Sequence, residues 1–251
     1  MKKIKLLKLT SAVVFLCSIT ACTSGEFNSS SMQNLRAGDL VASSNINKNR
    51  ITELFSASEI PDNIWSEMQG KTYKENPYIK RDDLRYIKFI HHDFEGKVRV
   101  GEMICNKAIA KDLTEIFYEL YKNTYPIERA VLPDYYDADD EKQMQANNTS
   151  SFCYRDVAGT AVLSNHAKGM AVDLNTLYNP YCKIRKDGTL YVQPMTAAQY
   201  CDRAGSFSHK IDKNDLAYKL FIAHGFTWGG DWKSVKDYQH FEKEQKAIKE
   251  D

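Results

Sequence analysis

An excess of charge of either sign is missing from this sequence: 34 Lys and Arg stand against 33 Asp and Glu, a formal net charge of +1. That balance provides no basic footprint, so nucleic acid is not an expected partner. No internal repeat and no second domain boundary is visible. The N-terminal apolar run, Leu9–Ile19, is too short for a comfortable membrane span. What remains is a chain of 251 residues, 43% hydrophobic and 27% charged, as expected of one soluble globular domain with appendages.

Lys2, Lys3, Lys5 and Lys8 precede the apolar run, which ends in Ile19-Thr20-Ala21-Cys22. A basic start, a short apolar stretch and small residues before a cysteine make residues 1–21 a secretory signal. The ending resembles the bacterial lipobox, in which the cysteine is lipidated and becomes the new N-terminus. Cys22 is then a membrane anchor; an ordinary signal peptide with an incidental cysteine is the alternative. Removing residues 1–21 deletes four lysines and no acids, which takes the formal charge from +1 to −3. Thr23 supplies no inner-membrane retention aspartate. The expected location is therefore the outer membrane, facing the periplasm, in a two-membrane host, and otherwise the outer face of the cell membrane.

Export also changes how the cysteines read. Cys105, Cys153, Cys182 and Cys201 would lie in an oxidising compartment, where an even count permits two disulfides. A Cys182–Cys201 bridge has the lower closure cost and would restrain its loop by ~3 kcal/mol in the chain-entropy model. Four reduced, buried thiols are the competing expectation.

Residues 22–49 are rich in Ser and Asn and read as a flexible tether, with a folded domain over 50–251. Leu84–His92 and Lys97–Cys105 flank Asp93-Phe94-Glu95-Gly96 as a hairpin. Leu113, Ile116, Phe117, Leu120 and Tyr121 form one apolar stripe on a helix over Ala108–Lys122. A second helix is expected over Lys213–His224, capped by Asp212, with Leu216, Leu220 and Ala223 on one face and Gly225 at its exit. Strands and helices in this order predict an α+β fold, a small antiparallel sheet flanked by helices.

The chemistry concentrates in two stretches. In "LSNHAKGMAVDLN", His166 and Asp173 stand seven apart around Gly169; in "FTWGGDWKSVKDYQHFE", Asp237 and His240 stand three apart. Two imidazoles and a carboxylate are the ligand set of a catalytic zinc site with one open position. Asp237, beside a ligand, is the candidate general base. In a regular strand an i, i+3 pair projects to opposite faces, so Asp237 is expected in a turn before the strand of His240, or both on a helical turn. Of the other histidines, adjacent His91 and His92 face opposite sides of a strand and cannot easily share an ion. His209 and His224 are the other competing ligands, and His224 falls at a helix end, where a cation is favourable.

Ser164, His166, Gly169, Ala171 and Asp173, followed by Asp237 and His240, match S-x-H-x-x-G-x-A-x-D and a distant [DE]-x-x-H. In this the sequence resembles the D-alanyl-D-alanine carboxypeptidase and dipeptidase family of zinc peptidases. The resemblance extends through Asn147–Phe152 with Arg155, Asn179-Pro180-Tyr181 and Trp228–Trp232, and so covers roughly residues 84–242. Cys153 stands where relatives tend to carry a polar residue, a departure that leaves the metal set intact.

The resemblance implies a single zinc-peptidase domain in which His166, Asp173 and His240 bind Zn²⁺. Peptidoglycan stem peptides would be cut next to a D-amino acid, with Asp237 as base. Arg155 is the candidate cation for the oxyanion or for a substrate carboxylate; pairing with Asp156 or Asp173 is the plainer alternative. Trp228 and Trp232 wall the cleft or serve structure alone. A D,D-carboxypeptidase is the first expectation. An L-alanyl-D-glutamate endopeptidase on the same scaffold and a non-catalytic, zinc-containing cell-wall-binding lipoprotein are its rivals. Oligomeric state is not readable.

If Cys22 is lipidated, detergent and not salt releases the exported protein from membranes, and a Cys22→Ala precursor carries no acyl chain. Acylated, membrane-bound Cys22→Ala protein would contradict the anchor.

Overall fold

The computed structural model describes residues 26–157 and 160–244. The signal segment 1–21, the proposed anchor Cys22 and the first residues of the expected tether lie outside the described residues. In chain order the first half contains α1 (Ser29–Gln33), β1 (Leu40–Val41), β2 (Ser56–Ser58), α2 (Asp62–Met68), β3 (Leu84–His92), β4 (Val98–Asn106), α3 (Ala110–Lys122) and α4 (Asp140–Gln145). The second half contains β5 (Ala171–Asp173), β6 (Tyr181–Ile184), β7 (Leu190–Gln193), α5 (Leu216–Ala223), β8 (Thr227–Trp228), β9 (Lys236–Asp237) and β10 (His240–Glu242). The strands form three small antiparallel sheets, in the orders β1-β4-β3-β2, β5-β10-β8 and β7-β6-β9. The α+β expectation holds, with the strands divided among three sheets.

The β3–β4 hairpin is the largest piece, and its central residues Ile87, Phe89, Ile90 and Val100 are fully buried. The expected apolar stripe lies against it: Leu113, Ile116, Phe117 and Leu120 of α3 are all inside, and the Phe117 ring stacks on Phe89 with centroids 4.2 Å apart. Tyr121 sits at the stripe's edge, against His92. Full burial of such side chains stabilises by roughly 1.5–3 kcal/mol each.

The tether expectation is corrected over residues 26–49. Met32, Ala37, Val41 and Ile46 are buried, β1 pairs with the edge of β4, and Gly38 N donates to Val100 O at 2.8 Å. Glu102 accepts from Ala37 N at 3.1 Å, and Lys88 Nζ donates to Leu35 O at 2.5 Å. The folded body therefore begins before Arg50. A few isolated apolar residues and borrowed backbone groups anchor this segment, so no period marks it in the sequence.

The helix expected over Lys213–His224 is shorter, with a different cap. Asp215, not Asp212, accepts from Ala217 N at 2.8 Å and starts α5; Asp212 is used by Asn214 N in the preceding turn. Its buried residues are Ala217 and Phe221, while Ala223 is exposed, so the inward face is rotated from the expected one. Phe221 stacks on Phe241 of β10 with centroids 4.3 Å apart, which ties α5 to the sheet carrying His240.

Cys182 and Cys201 form a disulfide with Cα atoms 6.1 Å apart, and Cys105 and Cys153 are buried free thiols. The bridge fastens the β6–β7 hairpin to the segment that follows it. Non-reducing peptide mapping of exported protein is expected to recover Cys182 linked to Cys201, with Cys105 and Cys153 alkylated only after denaturation. Joining of either bridged cysteine to Cys105 or Cys153 would overturn this arrangement.

Candidate metal centre

The antiparallel register of β5 and β10 builds the site. His240 lies directly opposite Asp173, Phe241 opposite Val172, and Glu242 opposite Ala171. Because side chains alternate along a strand, His240, Asp173 and Glu242 share one face, while Phe241 and Val172, both fully buried, point into the core. Asp173 is also clamped by reciprocal backbone bonds with Ser150, at 2.9 and 3.0 Å.

His166 arrives from a turn. Ser164 Oγ accepts from His166 N, Gly169 N donates to His166 O, and Met170 N donates to Asn165 O. Gly169 sits at φ +67°, and a Cβ there would lie 2.6 Å from Asn106 N. The turn can press against the end of β4 only because this position has no side chain.

His166, Asp173 and His240 bring their ligand atoms within 4.8 Å of one another. His166 Nε2 is 3.2 Å from Asp173 Oδ2 and 3.1 Å from His240 Nδ1, which is itself 3.0 Å from Asp173 Oδ1. An outer partner fixes the tautomer of His166. His166 Nδ1 is 2.7 Å from Ser151 O, a pure acceptor, so it carries the proton and leaves Nε2 bare. His240 faces a carboxylate on each side, Nε2 at 3.1 Å from Glu242 Oε2 and Nδ1 at 3.0 Å from Asp173 Oδ1. Two imidazoles and a carboxylate therefore converge on one point, where a cation, either a proton on His240 or a metal ion, balances the acids. Each ring's other nitrogen is held by a carbonyl or carboxylate, as is usual for metal-bound histidine.

The electrostatics agree. Burial opposes a charge on His240, but hydrogen bonds to Asp173 and Glu242 outweigh it and raise the ring to about 10. Burial alone would raise Asp173; the two histidines outweigh it and hold the carboxyl well below the usual range. Glu242, held low first by its hydrogen bond with His240, is further fixed by Asn165 Nδ2 at 2.6 Å.

Asp237 ends β9, opposite Tyr181 of β6, with two residues between it and the start of β10. The chain between β9 and β10 allows both it and His240 to line one cavity despite their spacing. Burial is the main cause that pushes its carboxyl up to about 6, and Oδ1 has no hydrogen-bond partner among the described residues. A Cβ on Gly229 would lie 2.6 Å from Asp237 O and 2.9 Å from its Cβ, so the "WGG" turn is shaped around this aspartate.

Arg155 lines the same cavity, and its Nε lies 2.6 Å from Asp140 Oδ2. Its protein partner is thus Asp140, neither of the two acids considered from sequence. Trp232 lines the cavity with its ring centroid 5.3 Å from that of His240, whereas Trp228 is buried and donates Nε1–H to Tyr238 O at 2.9 Å. His91 is buried in the β3 strand and pushed down to about 4 by that burial; His92 stacks on Tyr121, His209 on Phe94, and His224 caps α5. None of these four lines the cavity.

Sequence reasoning missed Glu242, Asn165 and Asp140. Glu242 was findable: two residues beyond His240 in a strand, it must share the ligand's face. Asp140 carried no signal, because its pairing with Arg155 depends on how two loops meet.

Fold and site together define a single-domain α+β protein with a buried His–Asp–His group able to hold a metal ion. Residues 158–243, about a third of the chain, match the family model described as D-alanyl-D-alanine carboxypeptidase. The match contains all three metal residues, Asp237 and the disulfide, and is shorter than the resemblance read over 84–242. No solved structure matches the chain. The family is one of peptidases, which makes hydrolysis the chemistry to examine in this cavity.

His166→Ala and His240→Ala protein is expected to purify without stoichiometric metal, and Glu242→Ala to bind it about 10–100-fold more weakly because the His240 ring loses its orienting partner. Competition with a chelating dye measures all three. Parental affinity in Glu242→Ala would remove that carboxylate from the site's support.

Proposed function

We propose that the protein is a zinc-dependent peptidase of the bacterial envelope that hydrolyses peptidoglycan stem peptides next to a D-amino acid, foremost as a D-alanyl-D-alanine carboxypeptidase. The observation that carries the reading is the convergence of His166 Nε2 and His240 Nδ1 on Asp173, with Asp237 on the same cavity wall. The cavity, of about 770 Å³, falls within the roughly 300–1,000 Å³ typical of ligand pockets.

His166, Asp173 and His240 would hold the zinc. When bound, zinc would supply Lewis acidity and lower the pKa of water so that it can act as a nucleophile near neutral pH. Asp237 takes the proton released as the peptide carbonyl is attacked and delivers it to the departing amine. Its carboxyl, raised by burial to about 6, is a stronger base than an exposed aspartate yet ionised at neutral pH. A nearby bound cation favours the carboxylate and moves that midpoint below 6. Arg155, held by Asp140, offers a fixed positive charge to the carbonyl oxygen as it becomes anionic, or to the substrate's terminal carboxylate. Asp237 also weighs against a purely binding role, since a structural metal site needs no unpaired acid beside it.

The N-terminal sequence supports attachment to the membrane through a lipid on Cys22, with the folded domain facing the wall. Partners are then the stem peptide and the lipid bilayer.

The test is mass analysis of defined stem peptides after incubation with zinc-loaded and chelated protein. Release of the terminal D-alanine only by the loaded form is expected; a cut between L-alanine and D-glutamate would assign the endopeptidase instead, and intact peptide in both would remove the peptidase reading. Asp237→Asn at equal zinc occupancy is expected to lose ~10²–10⁴ in rate. The parent's acid limb should have its midpoint at or below about 6, from the raised carboxyl of Asp237 and the cation's opposing pull. A rate within threefold of the parent, or an acid limb above pH 7, would take Asp237 out of the base's role.

A further inference from the structure

The β6–β7 hairpin forms one wall of the cavity, and its two faces differ sharply in chemistry. Pairing places Tyr181 opposite Gln193 and Lys183 opposite Tyr191 on one face, with Cys182 opposite Val192 and Ile184 opposite Leu190 on the other. The first face alone lines the cavity, extended by Arg185 one residue past β6. The second face holds the disulfide to Cys201 and the buried Val192, so the wall is fastened from behind. Its base is equally fixed, because Tyr181 pairs directly with Asp237.

This face is cationic and free to bind. Among the described residues no carboxylate lies within ion-pair distance of Lys183 or Arg185. Asp187, in the hairpin's turn, is taken up by Thr189 N at 2.9 Å and its hydroxyl at 2.7 Å. The Arg185 guanidinium lies 4.6 Å from the centre of the Tyr191 ring, which orients it without neutralising it. Three of the cavity's acids are already committed, Asp140 to Arg155, Glu242 to His240 and Asn165, and Asp173 to the two histidines, and the fourth, Asp237, sits at the hairpin's base opposite Tyr181.

We propose that Lys183 and Arg185 are specificity residues that select peptides bearing a free carboxylate away from the bond being cleaved. This rests on the peptidase reading and adds the charge of its substrate. At about 3.3 Å per strand residue, Lys183 stands about 7 Å and Arg185 about 13 Å along β6 from Tyr181, the neighbour of Asp237. An extended peptide rises by a similar amount per residue, so the carboxylate met there belongs to a residue two to four positions from the reaction. An amidated peptide of the same shape loses that contact and keeps all others.

The experiment uses the full chain loaded with zinc and two synthetic peptides, N-acetyl-L-Ala-γ-D-Glu-L-Lys-D-Ala-D-Ala with the glutamate α-carboxylate free, and the same peptide with that group as a carboxamide. The parent is expected to prefer the acid by about three- to tenfold in kcat/KM, through KM, as one or two solvent-exposed ion pairs allow, and to lose the preference as salt rises. In Lys183→Gln/Arg185→Gln the two values converge. A parent with no preference, or a preference that survives in the double variant, overturns the proposal and leaves the peptidase reading standing. If the parent cleaves neither peptide, the peptidase reading fails, and equilibrium binding of the same pair decides the hairpin's role by the same criterion: parental preference lost in the variant supports it, and any other result overturns it.

Discussion

The antiparallel pairing of residues 171–173 with 240–242 is the constraint on which the rest depends. It brings a carboxylate and an imidazole separated by 67 residues to directly opposed positions, then sends Val172 and Phe241 into the core from the other face. A slip of one residue would bury the ligands and expose the core, so the packing that stabilises the sheet also sets the site's register. Phe241 under Phe221, and the bonds between Asp173 and Ser150, hold that register from both sides.

Around this pairing, each buried polar group at the centre is oriented by another. Ser151 O fixes one ring, Glu242 the other, and Asn165 fixes Glu242. Such a network favours a cation, and its carboxylates raise His240 despite the burial that opposes a charge there. Asp237 differs: it is buried beside this cluster with one oxygen unpartnered, and its raised pKa reflects what it lacks. The supporting groups hold His166, Asp173 and His240 still, while Asp237 keeps one oxygen without a partner among the described residues.

How much of this was legible depended on whether an arrangement is local in sequence. His166, Asp173, Asp237 and His240 stood out because turns and short strands impose their spacings, and the β3–β4 hairpin and α3 stripe because periodicity records burial. The strap over residues 26–49 was misread because only scattered residues such as Met32 and Val41 enter the core. The cap of α5 went to Asp215 instead of Asp212, two similar residues whose choice is made by how the following helix docks. Arg155 lines the cavity, but its partner Asp140 was not legible, since nothing between α4 and the following loop encodes that approach. The disulfide was legible from its short loop, while the separation of the hairpin's two faces required the register of β6 against β7.

The central claim is that the β5–β10 pairing and the His166 turn create one metal position, approached by His166 through Nε2 and by His240 through Nδ1. An anomalous-scattering map recorded across the zinc absorption edge, from crystals of the zinc-loaded protein, tests it directly. The account predicts one strong peak at ~2.0–2.2 Å from His166 Nε2, His240 Nδ1 and an Asp173 oxygen, with Asp237 outside the coordination sphere. A peak elsewhere, or one bound through His240 Nε2 with Glu242 displaced, would contradict it.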